Sequence, residues 1–140
     1  MYIKNSLKQI YRYINIYGNM GRRQYIDQCV EEAEKSDIHF QHGAVIIKNN
    51  KIISKGYNRY TGHKPHHLRT QHAEMNAIKN AGKNCENATL YVIRLSHLTD
   101  DGLGSSCPCT KCAKFMKLHK IKNVVYSTGE GFENKFLVEL

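Results

Sequence analysis

Two short stretches constrain the fold more than any other feature: Gln71-His72-Ala73-Glu74 and Ser106-Cys107-Pro108-Cys109-Thr110-Lys111-Cys112. Cys109 and Cys112 stand three apart at the start of a helical pattern, which puts both sulfurs on one helix face. His72 and Glu74 stand two apart, a spacing that points side chains to different sides inside a helix. At a helix N-terminus that restriction relaxes, and a residue just before the first turn can converge with one inside it on a point beyond the helix end. A fold that uses these side chains together must therefore bring two helix starts to one place.

The rest of the chain supplies elements for such a fold. Tyr25, Ile26, Cys29, Val30 and Ala33 recur at helical spacing and predict a first core helix over 22–35. Cys29 lies on its apolar stripe and reads as a small buried hydrophobe. Two β-branched runs, 43–47 and 52–57, flank Lys48-Asn49-Asn50-Lys51 and predict a hairpin. The stretch 58–70, with Gly62, Pro65, His63, His66 and His67, reads as a loop. Residues 73–81 read as a helix closed by Gly82, 89–95 as a buried strand, and 96–105 as a polar excursion.

A helix over 109–119 follows, with Pro108 expected in its first turn and Ser105 or Ser106 as cap. Residues 123–127 predict a strand, and Phe132, Phe136, Leu137 and Leu140 predict a last docked helix in the tail. This alternation argues for a sheet covered by helices, a parallel crossover between the last strands, and a site at strand carboxyl ends. At the other end, Leu7, Ile10, Tyr11, Ile14 and Tyr17 suggest an amphipathic helix, so 1–19 is taken as an N-terminal extension and 20–140 as the main domain.

Composition narrows the setting. A chain of 140 residues suits one domain with a real core. No run approaches the roughly 20 apolar residues of a membrane-spanning helix. Lys4, Lys8 and Arg12 interrupt the N-terminal apolar residues, so no secretory signal core is present and an intracellular, cytoplasmic protein is expected. Three of the five cysteines crowd into six positions, which in a reducing compartment reads as metal or redox chemistry. The net charge of +9 suits an anionic partner, either nucleotide phosphate, nucleic acid or an acidic protein face, and also simple solubility.

His72, Cys109 and Cys112 form a three-donor set of the kind that holds a catalytic zinc with a fourth position open to water. Glu74 is then the carboxylate that moves protons, not a ligand. Cys107 could close the shell and make the site structural, but Pro108 fixes the backbone after it and is expected to turn it away. His63, His66 and His67 have no Cys or acid at a compelling spacing, so a solvated loop is expected there and not a second metal.

On these motifs the chain resembles the cytidine and deoxycytidylate deaminases, zinc-dependent enzymes marked by His-x-Glu and Pro-Cys-x-x-Cys. The likeness runs from Arg22 to Thr128. It includes Gly43-Ala44-Val45-Ile46, Gly56-Tyr57-Asn58, His72 to Ile78, Thr89-Leu90-Tyr91-Val92, Pro108 to Ala113 and Ile121 to Tyr126. It implies an α/β three-layer fold of the cytidine deaminase type, with a central mixed five-stranded sheet and helices on both faces. It also implies one zinc per active site and a homo-oligomer.

Carried over by position, His72, Cys109 and Cys112 are the metal ligands and Glu74 is the proton shuttle. Asn58 would contact the sugar or base, and the backbone at Ala44 would read the base edge. The separation of 37 between His72 and Cys109 is longer than usual for the family, with the excess in 96–105. That insert is expected to border the pocket. Arg59, Lys64, Arg69 and Arg94 are the candidates for a phosphate contact.

The leading function is hydrolytic deamination of a cytosine nucleotide or nucleoside with release of ammonia, deoxycytidylate to deoxyuridylate first. Alternatives are deamination of a base within RNA or single-stranded DNA, a purine-base or nucleoside deaminase, and a non-catalytic zinc module. Against the polynucleotide reading, the chain has no Trp, hence no Ser-Trp-Ser before Pro-Cys, and Cys107 replaces the Glu common there in tRNA adenosine deaminases. Against the non-catalytic module, a structural zinc has no need of Glu74.

Overall fold

The computed structural model describes residues 20–61 and 69–140; the expected helix within 2–17, His63, His66, His67 and Lys64 lie outside them. Helix α1 (Met20–Glu34) is followed by the hairpin β1 (His42–Lys48) and β2 (Lys51–Tyr57). Then come β3 (Arg59–Tyr60), β4 (Thr70–Gln71), α2 (Ala73–Ala81), a 3-10 turn (Gly82–Cys85) and β5 (Thr89–Leu95). The chain closes with β6 (Leu103–Gly104), α3 (Thr110–Leu118), β7 (Asn123–Ser127), β8 (Phe132–Phe136) and a 3-10 turn (Leu137–Glu139).

The strands order as β2-β1-β5-β7-β8, with β6 added to β5. Among the described residues only β5 and β7 pair in parallel, the crossover between them carrying α3, and every other pairing is antiparallel. This is the expected mixed five-stranded sheet. Asn49 and Asn50 both adopt positive φ, 53° and 62°, as a two-residue turn between twisted strands demands.

Both sheet faces are covered. Ala44, Ile46, Leu90, Val92, Val124 and Tyr126 pack under α2 and α3, while Val45, Ile47, Tyr91, Ile93 and Val125 pack under α1. Alternate residues of one strand thus enter opposite cores, which is why β1 and β5 read as continuous apolar runs. Cys29 is fully buried in the α1 core, its thiol 3.5 Å from the Tyr91 carbonyl.

Two glycines set the layer spacing. A Cβ on Gly56 would come 2.7 Å from the Ala73 carbonyl oxygen, and one on Gly43 would collide with the backbone of Cys29 and Ala33. Small residues at these points let α2 and α1 lie directly on the hairpin. For α2 the contact is reinforced by Ser54 Oγ, which donates to the Ala77 carbonyl at 2.6 Å.

Three expectations are corrected. The tail forms β8, antiparallel to β7, and a 3-10 turn in place of a docked helix. Gly129 and Gly131 at φ 90° and 152° reverse the chain, and Phe132 and Leu137 then go to opposite cores, which no single helix face achieves. The ends of the 58–70 connection pair as β3 and β4, Arg59 opposite Gln71 and Tyr60 opposite Thr70. The cap of α3 is Cys109, whose sulfur accepts from Cys112 N at 3.4 Å, so Pro108 lies just before the cap and not inside the first turn. Among the described residues no helix is long and apolar enough to cross a membrane.

Candidate active site

Both helix starts open on one cavity of about 290 Å3. His72 is the cap of α2, with extended backbone at φ −67° and ψ 154°, and Glu74 is in the first turn. The start of α2 is anchored by Asn76, whose Oδ1 accepts from Tyr57 N at 3.1 Å and whose Nδ2 donates to Gln71 Oε1 at 3.2 Å. Gly56 beneath Ala73 sets its depth. The start of α3 is anchored by Ser106: its hydroxyl lies 2.9 Å from the Val92 carbonyl, 2.8 Å from Ser127 Oγ and 2.9 Å from Ser127 N. Ser106 was expected to cap α3; instead it ties the Pro-Cys segment to β5 and β7.

These anchors bring His72 Nδ1 to 3.2 Å from Cys112 Sγ and 3.7 Å from Cys109 Sγ, and all three donor atoms lie within 4.8 Å of one another. Around a tetrahedral zinc with ordinary Zn–N and Zn–S bonds, N and S ligand atoms are separated by roughly 3.5 Å. The observed spacings fit that geometry, and one imidazole with two sulfurs is a donor set that suits zinc. Among the described residues no fourth His, Cys, Asp or Glu joins the cluster. Cys107 lines the cavity, but its thiol meets the Tyr126 hydroxyl and it is outside the donor set.

Electrostatics separates the roles. Cys109 Sγ sits at the helix start and accepts the backbone N–H of Cys112. Cys112 is buried, and burial together with the neighbouring Glu74 carboxylate drives its thiol far above its ordinary value. A divalent cation in place of that proton removes the conflict. Glu74 is also buried, and burial raises its carboxyl above the usual range, opposed by its own backbone N–H, by His72 and by a hydrogen bond with Cys112. A carboxyl raised in this way holds a proton more readily than an exposed one, which suits a group that takes up and releases protons.

The other lining residues are Ile38, Phe40, His42, Asn58, Thr70, Ala73 and Ser106. Asn58 is buried at the wall, with Oδ1 accepting from His42 N at 2.8 Å and Nδ2 donating to the Phe40 carbonyl at 2.6 Å. One amide N–H and one lone pair remain beyond these bonds. Ala44 is fully buried between β2 and β5 and does not line the cavity. Sequence reasoning missed Phe40 and His42. Burial holds His42 below its ordinary value, with Arg94 and His72 adding to the effect against a hydrogen bond to the Phe40 carbonyl. An exposed aromatic just before a buried strand was the only signal, and it is a weak one.

None of residues 96–105 lines the cavity. The insert extends β5 to Leu95, turns, and returns as β6, with Leu103 buried in the α1 core. It reaches the cavity at one remove: the Ser105 carbonyl accepts from Arg94 Nε at 2.9 Å, and the guanidinium lies 5.3 Å over the ring of Phe40. Of the other basic candidates, Arg59 and Arg69 are exposed around the β3–β4 ribbon.

The sequence matches the family model described as the cytidine and deoxycytidylate deaminase zinc-binding region over residues 20–128. A tRNA-specific adenosine deaminase of Aquifex aeolicus is 32% identical over 117 residues, covering 77% of this chain and 66% of that protein. The chloroplastic riboflavin biosynthesis protein PYRD of Zea mays is 29% identical over 108 residues, covering 74% of this chain. The chain spans about a quarter of that protein's length. The apo structure of dCMP deaminase from the cyanophage S-TIM5 shares the fold with a TM-score of 0.59 at 21% identity, covering 76% of this chain and 82% of that one.

Proposed function

Since the chain belongs to the cytidine and deoxycytidylate deaminase family, we propose that it removes the exocyclic amine of a cytosine nucleotide or nucleoside by hydrolysis, with deoxycytidylate as the first substrate to test. The observation that carries this reading is the buried Glu74 carboxyl beside an open three-donor cluster. A zinc ion held by His72, Cys109 and Cys112 supplies Lewis-acid activation of water near neutral pH.

The remaining steps belong to the chain. Glu74 takes a proton from the attacking water and delivers it to the ring nitrogen N3 as C4 of cytosine is attacked. It then takes the proton of the new C4 hydroxyl and passes it to the leaving amine, so that the C4–N bond breaks, ammonia departs and the uracil carbonyl forms. The cavity wall of Phe40, Ala73 and Cys107 accepts a flat ring, and Asn58 offers its remaining amide N–H and lone pair to sugar or base.

The likeness to a tRNA-specific adenosine deaminase favours a second reading, an adenine or cytosine within a polynucleotide, for which the exposed Phe40, Tyr60, Arg59 and Arg69 near the cavity offer stacking and charge. The test is ammonia release from zinc-loaded protein offered deoxycytidylate, cytidine, deoxycytidine triphosphate, guanine, adenosine and single-stranded nucleic acid. Preferential turnover of deoxycytidylate supports the first reading, and turnover of the polynucleotide alone replaces it with the second. No ammonia from any of them, with zinc bound and Glu74 intact, rejects both.

A further inference from the structure

We infer that Arg94 recognises the phosphate of the nucleotide, an assignment that rests on the cytosine-nucleotide reading and makes it specific to a free mononucleotide. The residue is set apart from the other basic side chains by how it is held. Arg94 is half-buried on β5, on the sheet face it shares with Val92, whose carbonyl receives Ser106. Its register partner on β1 is His42, which lines the cavity.

The guanidinium lies 5.3 Å over the ring of Phe40 and close on Gly104, where a Cβ would come 2.5 Å from Cζ and 2.9 Å from Nε. Nε is fixed by the Ser105 carbonyl. The fork is therefore oriented before any ligand arrives, and its Nη edge carries the remaining donors.

No ion pair among the described residues involves Arg94. The Nε bond to Ser105 lies at the surface, so an anion from solution can reach the guanidinium. A planar, oriented fork with unused donors matches phosphate oxygens in pairs. Its charge already reaches the cavity, since Arg94 contributes to holding His42 below its ordinary value. Arg59, by contrast, is exposed and shares its surface depression with Asp37. The cavity volume of about 290 Å3 suits one base and sugar, leaving the phosphate to its rim.

The experiment measures binding of deoxyuridylate and of deoxyuridine to zinc-loaded protein by calorimetry, beside turnover of deoxycytidylate and deoxycytidine. Arg94→Gln is expected to cost about 10- to 100-fold in deoxyuridylate affinity, the range for charged hydrogen bonds, and to leave deoxyuridine within about twofold. Arg94→Lys keeps the charge and loses the fork, so it falls between the two proteins. Added salt weakens deoxyuridylate in the wild type more than in Arg94→Gln.

Equal loss for nucleotide and nucleoside would make Arg94 a strut for the 96–105 insert and overturn the assignment. So would a cytosine-containing single-stranded oligodeoxynucleotide that depends on Arg94 while deoxyuridylate does not. Arg94-dependent selectivity for deoxyuridylate in a protein that deaminates no cytosine compound keeps the phosphate site and rejects the proposed function. Deamination of cytosine compounds with deoxyuridylate and deoxyuridine bound alike does the reverse.

Discussion

The two helix starts line the cavity and the 96–105 insert stands one contact behind it, and the two are held on different terms. The helix starts are held against strand backbone: α2 rests on Gly56 with its Ala73 carbonyl against the strand, and the Ser106 hydroxyl ties the Pro-Cys segment to the backbone of Val92 and Ser127. The insert pairs with β5 through the short β6 and is braced further by side chains, Arg94 lying on Gly104 and Asp101 bracing Thr99 and Leu103. Backbone contacts hold donors to a fraction of an ångström, as metal geometry needs, while side-chain contacts yield and so can vary with substrate.

The largest effect expected from this contrast is at the metal cluster. Cys109→Ala removes a ligand and the cap of α3 together, and is expected to abolish both zinc retention and turnover, measured by metal analysis and ammonia release. Next, Gly56→Ala forces a methyl into the backbone of α2 and is expected to cost about 1–3 kcal/mol in denaturant unfolding, with weaker zinc binding because His72 moves with the helix. Gly104→Ala meets only the end of a flexible side chain, so its cost should stay below about 1 kcal/mol. Its expected signature is a smaller ratio of deoxycytidylate to deoxycytidine turnover. Equal destabilisation by the two glycine variants would break the distinction between a rigid and a yielding wall.

The smallest effect concerns Asp101. Its Oδ1 accepts from Leu103 N at 3.0 Å, its Oδ2 is buried without a partner, and burial raises its carboxyl above the ordinary range. The folded state then binds a proton more tightly than the unfolded one, so this group's contribution to stability falls as pH rises above about 4. Asp101→Asn keeps the Oδ1 bonds and removes the charge. It should be more stable than wild type by about 1 kcal/mol at pH 7, with the difference closing near pH 4 in thermal melts.

The same contrast explains what the sequence disclosed. The donors were legible because metal chemistry limits residue types and spacing, and a helix start is the one place where His72 and Glu74 can converge. The buried strands were legible because both faces of β1 and β5 are covered and their central residues, 43–47 and 90–93, carry no charge and are almost all apolar. The tail was misread because Phe132 and Phe136, four apart, imitate a helix stripe, while the turn through Gly129 and Gly131 decides otherwise. Ser106 resembled a helix cap in sequence, and its actual partners, Val92 and Ser127, are supplied only by the sheet. Arg94 was one of four equal candidates until Gly104 and Phe40 closed around it.

The central claim is that Glu74 moves protons beside a metal it does not bind, and Glu74→Gln tests it most directly through zinc content and ammonia release on the same preparation. The expected result is one zinc per chain retained, as in the wild type, with turnover lower by about 100- to 10,000-fold. Loss of zinc to the extent seen in Cys109→Ala, or deamination at the wild-type rate, would contradict it.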